Sequence, residues 1–504
     1  MAAGTETRSH GESARSCLQR RRHTRTNGSF FSPTGSGLTM PPDAKALAAD
    51  TPHAPVGRSE PYPAADRAPS FAAVLRAPRF AFLVAGQTIS QLGDKLHHMA
   101  LIALVGAAAA GNTGGLELAK LSVVFTAPVV LFGPLAGAMV DRWDKRRTMI
   151  ICDAMRALLV VTIPALFVAT GHLWSVYAIV FLVFLLGVFF NAAKMALIPD
   201  LVQRSEYLSA NAALSFVGRF ATVLGIVGGG VIIGLSAWRR FGWTDYAAGF
   251  YLDASSYLVS VLTLGAISLT GTARRSAAGP AAVTTPGQQR RSPRTLVRDV
   301  VQTLRAVRHD RSLRFVFGSL IDLALFASTV YVAMTYSVQT VMGRGTRGVG
   351  YLGGVLGAGL IVGSLLAGTI GQRWDKRQAI LLGNTIIGLL MIVAGVFFSF
   401  AVFIPVAFVG GVLLAPVMVC QDTLLHECAP VDARALIFST KDLITAGAFT
   451  ISALLVGGAI FLLGLLGFAE PYRMALAGVG VVILISGILG QSAVRAATPH
   501  EHTH

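Results

Sequence analysis

Four ionisable residues interrupt stretches of the sequence that are otherwise apolar and long enough to cross a membrane. They are Asp94, Arg219, Asp253 and Asp322. A charge at the centre of a bilayer costs about 3 kcal/mol on insertion scales, so such a residue is a candidate for proton or substrate coupling. Asp94 is the best candidate, because a buried carboxyl group with a changing partner can take up and release a proton. The alternative is a static buried pair that holds the spans together.

Several residues are candidates to form an ion pair with Asp94 or to exchange a proton with it. Lys95 and Arg219 are possible ion-pair partners. His97 and His98 follow Asp94 by three and four residues, which places them near it on one face of a helix. One interpretation is a proton relay through these histidines, and the other is hydrogen-bonded packing.

A second pair of opposite charges lies in the third apolar stretch. Asp153 and Arg156 are three residues apart, a spacing at which side chains meet on a helix surface. We expect a local structural ion pair here rather than a coupling site.

Several catalytic motifs are absent from the sequence. It contains no Gly-x-x-x-x-Gly-Lys-[Ser/Thr] phosphate loop and no Gly-x-Ser-x-Gly, so neither ATP hydrolysis nor a serine hydrolase is expected. The four cysteines have no paired spacing, which indicates neither a disulfide framework nor a metal site. We therefore expect no enzyme activity and no cofactor, with a proton gradient as the energy source for uphill transport.

The candidate residues must be positioned by membrane spans. Of the 504 residues, 53% are hydrophobic and 13% are charged, and the mean hydropathy is +0.63, as is typical of a membrane protein. A span needs about 20 mostly apolar residues. The sequence predicts an all-α integral membrane protein in which the boundary between spans nine and ten, near Ser399, is the least marked. The twelve predicted spans are 80–105, 118–140, 149–170, 173–197, 210–237, 246–269, 315–342, 349–370, 379–400, 401–425, 435–464 and 472–494.

The net charge of +17 is concentrated in alternate loops. Basic residues are frequent at 142–147, 274–314 and 373–377, whereas the opposite loops contain few. By the positive-inside rule, the basic loops and both termini lie in the cytoplasm, and the protein lies in the cytoplasmic (inner) membrane. The expected partner of this charge is therefore the lipid bilayer and not nucleic acid.

Two parts of the sequence repeat each other. Residues 137–146 match residues 368–377 at an offset of 231, and each copy follows the second span of its half. A repeat of six spans indicates two bundles that face each other across a central cavity. The predicted domains are a disordered cytoplasmic tail (1–78), an N-terminal six-helix bundle (79–272), a basic cytoplasmic linker (273–311), a C-terminal six-helix bundle (312–496) and a cytoplasmic tail (497–504).

The repeated loop carries a recognisable set of residues. The first copy has Gly137, Asp141, Arg142, Lys145, Arg146 and Arg147, and the second has Arg373, Lys376 and Arg377. This set resembles the signature loop of the major facilitator superfamily, and the resemblance covers roughly residues 79–496. It implies twelve helices in two pseudo-symmetric bundles that work by alternating access. Asp144 and Asp375 stand where the family has glycine; since aspartate can adopt a left-handed backbone, we expect the tight turn to persist.

Two roles are open for the loop residues. They could form ion pairs that hold the bundles closed on the cytoplasmic side, with Asp141 accepting hydrogen bonds from the N-terminus of a helix. The resemblance implies that this helix is span eleven. Alternatively, the cations only set topology and bind anionic lipid. Because the second copy has Gln372 in place of the aspartate, we expect the gate in the N-terminal half.

Further segments look like the branch of this superfamily that includes macrolide and siderophore exporters. They are residues 86–94, 190–200 and 206–212. Span five is similar to the glycine motif of these exporters at Gly225, Gly229 and Gly230, although Ile226 replaces the usual proline. The resemblance implies efflux.

These observations lead to one expected function and two alternatives. We expect a monomeric secondary active transporter, an antiporter that uses protons to export a bulky apolar small molecule such as a drug, a siderophore or a secondary metabolite. The missing proline favours an importer or facilitator of the same fold instead. A membrane sensor that has lost transport is the third possibility. The identity of the substrate depends on which helix faces line the cavity.

Overall fold

The computed structural model describes residues 77–109, 113–203, 206–267, 307–370, 375–429 and 434–497. Almost all of both predicted tails, most of the linker and Arg373 lie outside these residues. The described residues form twelve long helices and contain no β-strand. All of them belong to a single compact unit of the chain.

The helices follow the predicted spans closely. Ten of them, all except α1 and α5, are long and apolar enough by composition to cross a membrane, which shows an all-α integral membrane protein. A short 3₁₀ helix, Ser236–Phe241, precedes α6. The helices are α1 (Pro78–Ala108), α2 (Thr113–Val140), α3 (Lys145–Thr170), α4 (Leu173–Leu201), α5 (Tyr207–Ile233), α6 (Asp245–Ala266), α7 (Arg311–Val341), α8 (Gly345–Ile370), α9 (Lys376–Val396), α10 (Phe400–Cys428), α11 (Arg434–Leu465) and α12 (Pro471–Ala497).

Two aspartates of the repeated loop begin the helices that follow them. Asp144 has φ −68° and ψ 110°, and its Oδ1 accepts a hydrogen bond of 2.7 Å from the backbone N–H of Arg147. Asp375 has φ −67° and accepts from the N–H of Arg377 at 2.9 Å. The expectation of a left-handed backbone at these positions is therefore wrong. Each aspartate is an extended N-cap, because its side chain satisfies a free N–H of the first helical turn.

The predicted boundary between spans nine and ten is confirmed. Helix α9 ends at Val396, and α10 begins at Phe400. Ser399 lies between them with an extended backbone, and its hydroxyl accepts a hydrogen bond of 3.4 Å from the N–H of Val402. A serine cap at this point starts a second helix within an almost continuous apolar stretch.

Four helix pairings of the N-terminal half recur in the C-terminal half. Helix α3 packs on α4 and α6, and α9 packs on α10 and α12. Likewise α2 packs on α4 as α8 packs on α10, and α1 packs on α5 as α7 packs on α11. The main contacts between the halves are α2 with α11 and α5 with α8. This arrangement places α1 and α7 beside the seam between the halves.

The halves are joined at the end of the bundle that lies opposite the basic loops. Gln339 of α7 donates to the carbonyl of Ile102 at 2.9 Å, and the hydroxyl of Tyr336 donates to that of Ala109 at 3.3 Å. The Tyr336 ring also stacks on Tyr472, with centroids 5.3 Å apart. Two further hydrogen bonds join the halves: the N–H of Gly115 donates to the Tyr472 hydroxyl at 3.3 Å, and the Thr450 hydroxyl donates to that of Thr126 at 2.8 Å.

Candidate functional site

Asp94 lies at the centre of a polar cluster that connects α1, α3 and α6. Its Oδ1 accepts hydrogen bonds from Nη2 of Arg156 at 2.8 Å and from the hydroxyl of Tyr257 at 2.5 Å. The side chain of Asp94 is 31% exposed, whereas that of Arg156 is 10% exposed. Arg156, and not the predicted Lys95, is thus the ion-pair partner of Asp94. The Arg219 side chain lies outside the described part of the chain.

Arg156 connects two carboxylates. Its Nη1 lies 3.3 Å from Oδ1 of Asp153, which is fully buried. Its guanidinium also lies over the Tyr257 ring, 4.1 Å from the centroid, where the negative face of the ring attracts a cation. The predicted pair of Asp153 and Arg156 is confirmed, but it is part of the Asp94 cluster.

The buried histidine beside Asp94 has a different carboxylate as its neighbour. Nδ1 of His97 lies 3.0 Å from Oδ2 of Asp253, and both side chains are almost fully buried. Nδ1 of His98 lies 2.7 Å from the backbone carbonyl of Asp94. The structure therefore brings Asp253 to His97, and no imidazole among the described residues contacts the Asp94 carboxylate.

Three carboxylates and several cations lie close together in and around the cluster. Asp94, Asp153 and Asp253 surround one guanidinium, that of Arg156. Charges of one sign repel strongly where the surroundings have a low dielectric constant. Lys95 and Lys194 add positive charge near Asp94. Such an arrangement is chemically suited to gaining and losing protons.

The C-terminal half has a counterpart of this cluster in which the aspartate has uncharged partners. Asp322 of α7 accepts hydrogen bonds at Oδ2 from Asn384 of α9 at 3.2 Å and from Ser486 of α12 at 2.8 Å. Asn384 lies 231 residues after Asp153, the offset that relates the two loop copies. No cationic side chain contacts Asp322 among the residues that the structure describes. The two predicted coupling positions Asp94 and Asp322 thus lie in separate, pseudo-symmetric sites.

The first loop copy joins helices of its own half at the basic-loop end. Lys145 lies 3.0 Å from Asp200 at the end of α4. Arg146 donates to the carbonyls of Leu264 and Gly265, at 2.7 and 2.5 Å, where α6 ends. These contacts place cations on the negative end of the α6 dipole and on a carboxylate.

Among the described residues, Asp141 makes no contact with the start of α11, and residues 430–433 just before that helix lie outside them. Asp141 is exposed, as are Arg142 and Arg147, and its side chain has no hydrogen-bond partner among the described residues. An alanine side chain at Gly137 would meet no atom within 4 Å. The gate therefore stays a prediction for the opposite conformation, in which the halves meet at this end.

The second loop copy also makes contacts within its own half. Lys376 lies 2.9 Å from Glu427 at the end of α10, and Nη2 of Arg377 donates to the Ser312 hydroxyl at 2.5 Å. These contacts attach the start of α9 to α10 and α7. Both loop copies thus connect helix ends in the described structure.

Alanine at Asp144 is expected to destabilise the protein by about 1 kcal/mol, because α3 loses its N-cap hydrogen bond. Alanine at Asp141 serves as the matched control in the same loop, and we expect less than about 0.5 kcal/mol there, as for other surface positions. Thermal unfolding of the purified protein in detergent measures both. Equal losses of stability would contradict the assignment of the cap to Asp144 alone.

The predicted glycine motif lies where α5 contacts two other helices. A Cβ on Gly225 would lie 2.5 Å from Cβ of Lys95, and one on Gly229 would lie 3.2 Å from Cγ of Met99. Gly230 faces the other half, since a Cβ on Gly350 of α8 would lie 2.6 Å from the Cα of Gly230. Small residues at these positions let α5 pack closely against both α1 and α8.

A cavity of about 230 Å³ lies beside this seam. Its wall is formed mainly by α7, α8, α9 and α10, and it is completed by Met99 and Ile102 of α1 and by Ile226 of α5. None of its lining residues is charged, and all except Tyr331 and Thr335 are apolar. Such a surface is suited to an apolar ligand.

Curated proteins with similar sequences are bacterial membrane transporters. The chain is 28% identical over 182 residues to "Uncharacterized MFS-type transporter YfiS" of Bacillus subtilis (strain 168), covering 36% of this chain and 40% of the relative. It is 26% identical over 189 residues to "Putative bacilysin exporter BacE" of the same strain, covering 37% and 44%. The matches thus span less than two thirds of these relatives.

Solved structures show the same fold at low sequence identity. A bacterial homologue of the human lysosomal transporter Spinster, in an inward-facing and unoccupied conformation, matches with a TM-score of 0.63 and 14% identity, over 85% of this chain and 97% of that chain. An inward-facing bacterial homologue of the iron transporter ferroportin matches with a TM-score of 0.59 and 15% identity, over 83% and 98%. The sequence model of the Major Facilitator Superfamily matches residues 80–440, and because this is more than half of the chain, the protein belongs to that superfamily of membrane transporters.

Proposed function

We propose that the protein exports a bulky apolar small molecule in exchange for protons by alternating access. The observation that carries the proposal is the position of Asp94. Its carboxylate is partly exposed, yet it contacts a nearly buried guanidinium and a buried tyrosine hydroxyl. A proton can therefore reach a group whose charge holds α1, α3 and α6 together.

Proton binding at Asp94 changes the contacts of α1. A neutral carboxyl group loses the charge attraction to Arg156, which keeps Asp153 as its carboxylate partner. The same helix carries Met99 and Ile102 in the cavity wall, about 7.5 and 12 Å farther along its axis. A shift of α1 thus links proton binding to the shape of the cavity.

The proposed direction of transport depends on the orientation of the protein in the membrane and on the name of one similar protein. If the basic loops lie in the cytoplasm, the halves are joined on the outer side in this conformation. A substrate would then be taken up from the cytoplasm in this state. One similar protein has a name that describes an exporter, which supports the same direction.

Asp94→Asn is expected to slow uphill export by about tenfold or more, a loss of at least about 1.4 kcal/mol. Asparagine keeps the shape of the side chain and removes the exchangeable charge. The assay loads energy-depleted cells with the neutral dye Nile red and follows its efflux when glucose restores the proton gradient.

Two comparisons make this experiment decisive. Asp322→Asn is the matched variant in the C-terminal half, and we expect it to keep most of the efflux, because Asp322 has only neutral partners among the described residues. A protonophore should stop wild-type efflux. Efflux by Asp94→Asn at the wild-type rate would refute the coupling role, and efflux that continues with the protonophore would indicate facilitated diffusion.

A further inference from the structure

A recess of about 390 Å³ lies at the end of the bundle opposite the basic loops. It is formed by the turn between α7 and α8, the start of α8 and the start of α10. Two of its lining residues are arginines and none is acidic. The lining residues are Arg344, Arg347, Gly348, Tyr351, Phe400 and Ile404. Because basic residues are expected on the other side of the membrane, the positive-inside rule does not account for this pair of arginines.

Both arginines are held in place by packing contacts. The guanidinium carbon of Arg344 lies 5.1 Å from the centroid of the Phe400 ring, where the ring attracts a cation. Arg347 packs against the N-terminal half, since a Cβ on Gly234 at the end of α5 would collide with its side chain. Both arginines are exposed, and neither forms an ion pair with a carboxylate among the described residues. Their charges are therefore available to an anion.

A phosphate group has the chemistry that this recess favours. Helix α8 begins at Gly345, between the two arginines, and the free N–H groups and the dipole at the start of a helix favour an anion. A guanidinium group can donate two parallel hydrogen bonds to phosphate oxygens. Two guanidinium groups and the start of a helix thus border the same recess.

The recess continues into exposed apolar surface on α8 and α10. Tyr351 is 52% exposed, and Val362, which lies about three turns later on the same face of α8, is 40% exposed. On α10, Ile404 is followed one turn later by Phe408, which is also 40% exposed. Both helices are long and apolar enough to cross a membrane, so these side chains face lipid. A ligand that joins a phosphate to acyl chains matches both parts of this surface, whereas a free phosphate ion matches only the recess.

We propose that the recess binds an anionic phospholipid of the leaflet opposite the basic loops. The phosphate lies between Arg344 and Arg347, and the acyl chains lie along α8 and α10. A lipid with a net negative charge is favoured over a zwitterionic one, because the arginines repel a cationic head group. This site is separate from the Asp94 cluster and from the apolar cavity.

The test measures how lipid protects a residue of the recess from chemical labelling. Ile404 lines the recess, so in a protein with its native cysteines replaced, bound lipid should shield Ile404→Cys from a maleimide. The purified protein in detergent receives dioctanoyl phosphatidylglycerol, which is anionic, or dioctanoyl phosphatidylcholine, which is zwitterionic and has the same chains. We expect the anionic lipid to halve the labelling rate at a concentration about tenfold lower, since each basic residue strengthens the binding of anionic lipid several-fold.

Two variants separate the charge of the arginines from their shape. Arg344→Gln combined with Arg347→Gln removes both charges, and we expect the two lipids then to protect Ile404→Cys at concentrations within about twofold of each other. Arg344→Lys combined with Arg347→Lys keeps the charges and loses the planar donor group, and it should keep a preference of at least about threefold.

A second reporter position controls for general effects of lipid and for misfolding. Phe468 is 46% exposed and lies between α11 and α12, at the same end of the bundle, but it does not line the recess. We expect both lipids to change the labelling of Phe468→Cys equally. Without lipid, its labelling rate should be the same in all variants, which shows that they are folded.

A soluble phosphate distinguishes a lipid site from a site for a free anion. We expect sn-glycerol 1-phosphate to give no protection at the concentrations used for the lipids, and protection equal to that by phosphatidylglycerol would overturn the lipid assignment. The proposal also fails if the protein with both arginines does not distinguish the two lipids, or if the preference persists after both arginines are replaced by glutamine. These measurements need neither substrate nor a proton gradient, so they are independent of the Asp94 efflux test.

Discussion

Arg156→Met is expected to lower the free energy of unfolding by about 3–5 kcal/mol and to abolish coupled export. Methionine has a similar length but no charge, so Asp94 and Asp153 lose their shared cation. A buried carboxylate without a partner is far less stable than an intact buried pair. The yield of monodisperse protein in detergent and its melting temperature measure the effect.

The control for this variant is an arginine with the same local geometry at the surface. Arg473 pairs with Glu470 three residues earlier, as Arg156 pairs with Asp153, but it is 41% exposed. We expect Arg473→Met to cost about 1–2 kcal/mol, since an exposed ion pair contributes little and the hydrogen bonds of Arg473 to the carbonyls of Gly395 and Val396 have a modest net effect. Adding Asp94→Asn and Asp153→Asn to Arg156→Met should recover most of the stability but not coupled export. An Arg156→Met protein of wild-type stability would show that the cluster does not support the fold.

Gly350→Ala is expected to destabilise the conformation that is closed at the end opposite the basic loops. Its new Cβ would lie 2.6 Å from the Cα of Gly230, a backbone atom that cannot turn aside as a side chain can. Overpacking of this kind costs about 1–3 kcal/mol, which shifts a two-state equilibrium by about 5- to 150-fold. We expect the halves to separate at this end.

The shift is measured by chemical labelling of a buried position. Val338 is 1% exposed and lies in α7 near the closed end. In a protein with its native cysteines replaced, Val338→Cys should react with a membrane-impermeant maleimide at least about tenfold faster when Gly350→Ala is present. Gly228→Ala is the control on α5, because its Cβ would meet its first neighbour at 3.9 Å. Equal labelling rates in all three backgrounds would contradict the contact between Gly230 and Gly350.

The fold was largely predictable from the sequence because its signals are local. Hydropathy sets the length of each span. Each helix cap is formed by residues that are close together in the sequence, as at Asp144 and Ser399. The conformation of Asp144 was predicted wrongly because the family has glycine at this position, which suggests a left-handed turn. An aspartate that precedes a helix instead accepts hydrogen bonds from the first N–H groups of the helix while its own backbone is extended. Local chemistry was the better guide at that position.

The partner of Asp94 was not predictable in the same way. Arg156 lies 62 residues away, and its local pair with Asp153 concealed its second contact. One signal of the cluster was present in the sequence. Tyr257 follows Asp253 by four residues and so shares a helix face with it. The lining of the cavity left no such signal, because hydropathy cannot distinguish an apolar side chain that faces lipid from one that faces a cavity.

The equivalence of Asp153 and Asn384 bears on how the two halves diverged after duplication. Aspartate and asparagine codons differ by a single base, so one mutation at either position adds or removes a carboxylate beside its cluster. Arg156, which pairs with Asp153, has no cationic equivalent in the C-terminal half. Ile387 lies at the corresponding position, 231 residues later. An aspartate at position 384 without a new cation would place two carboxylates together, and these repel in surroundings of low dielectric constant. If protons are exchanged as proposed, this exchange takes place in the N-terminal half, whereas Asp322 of the other half has only neutral partners among the described residues.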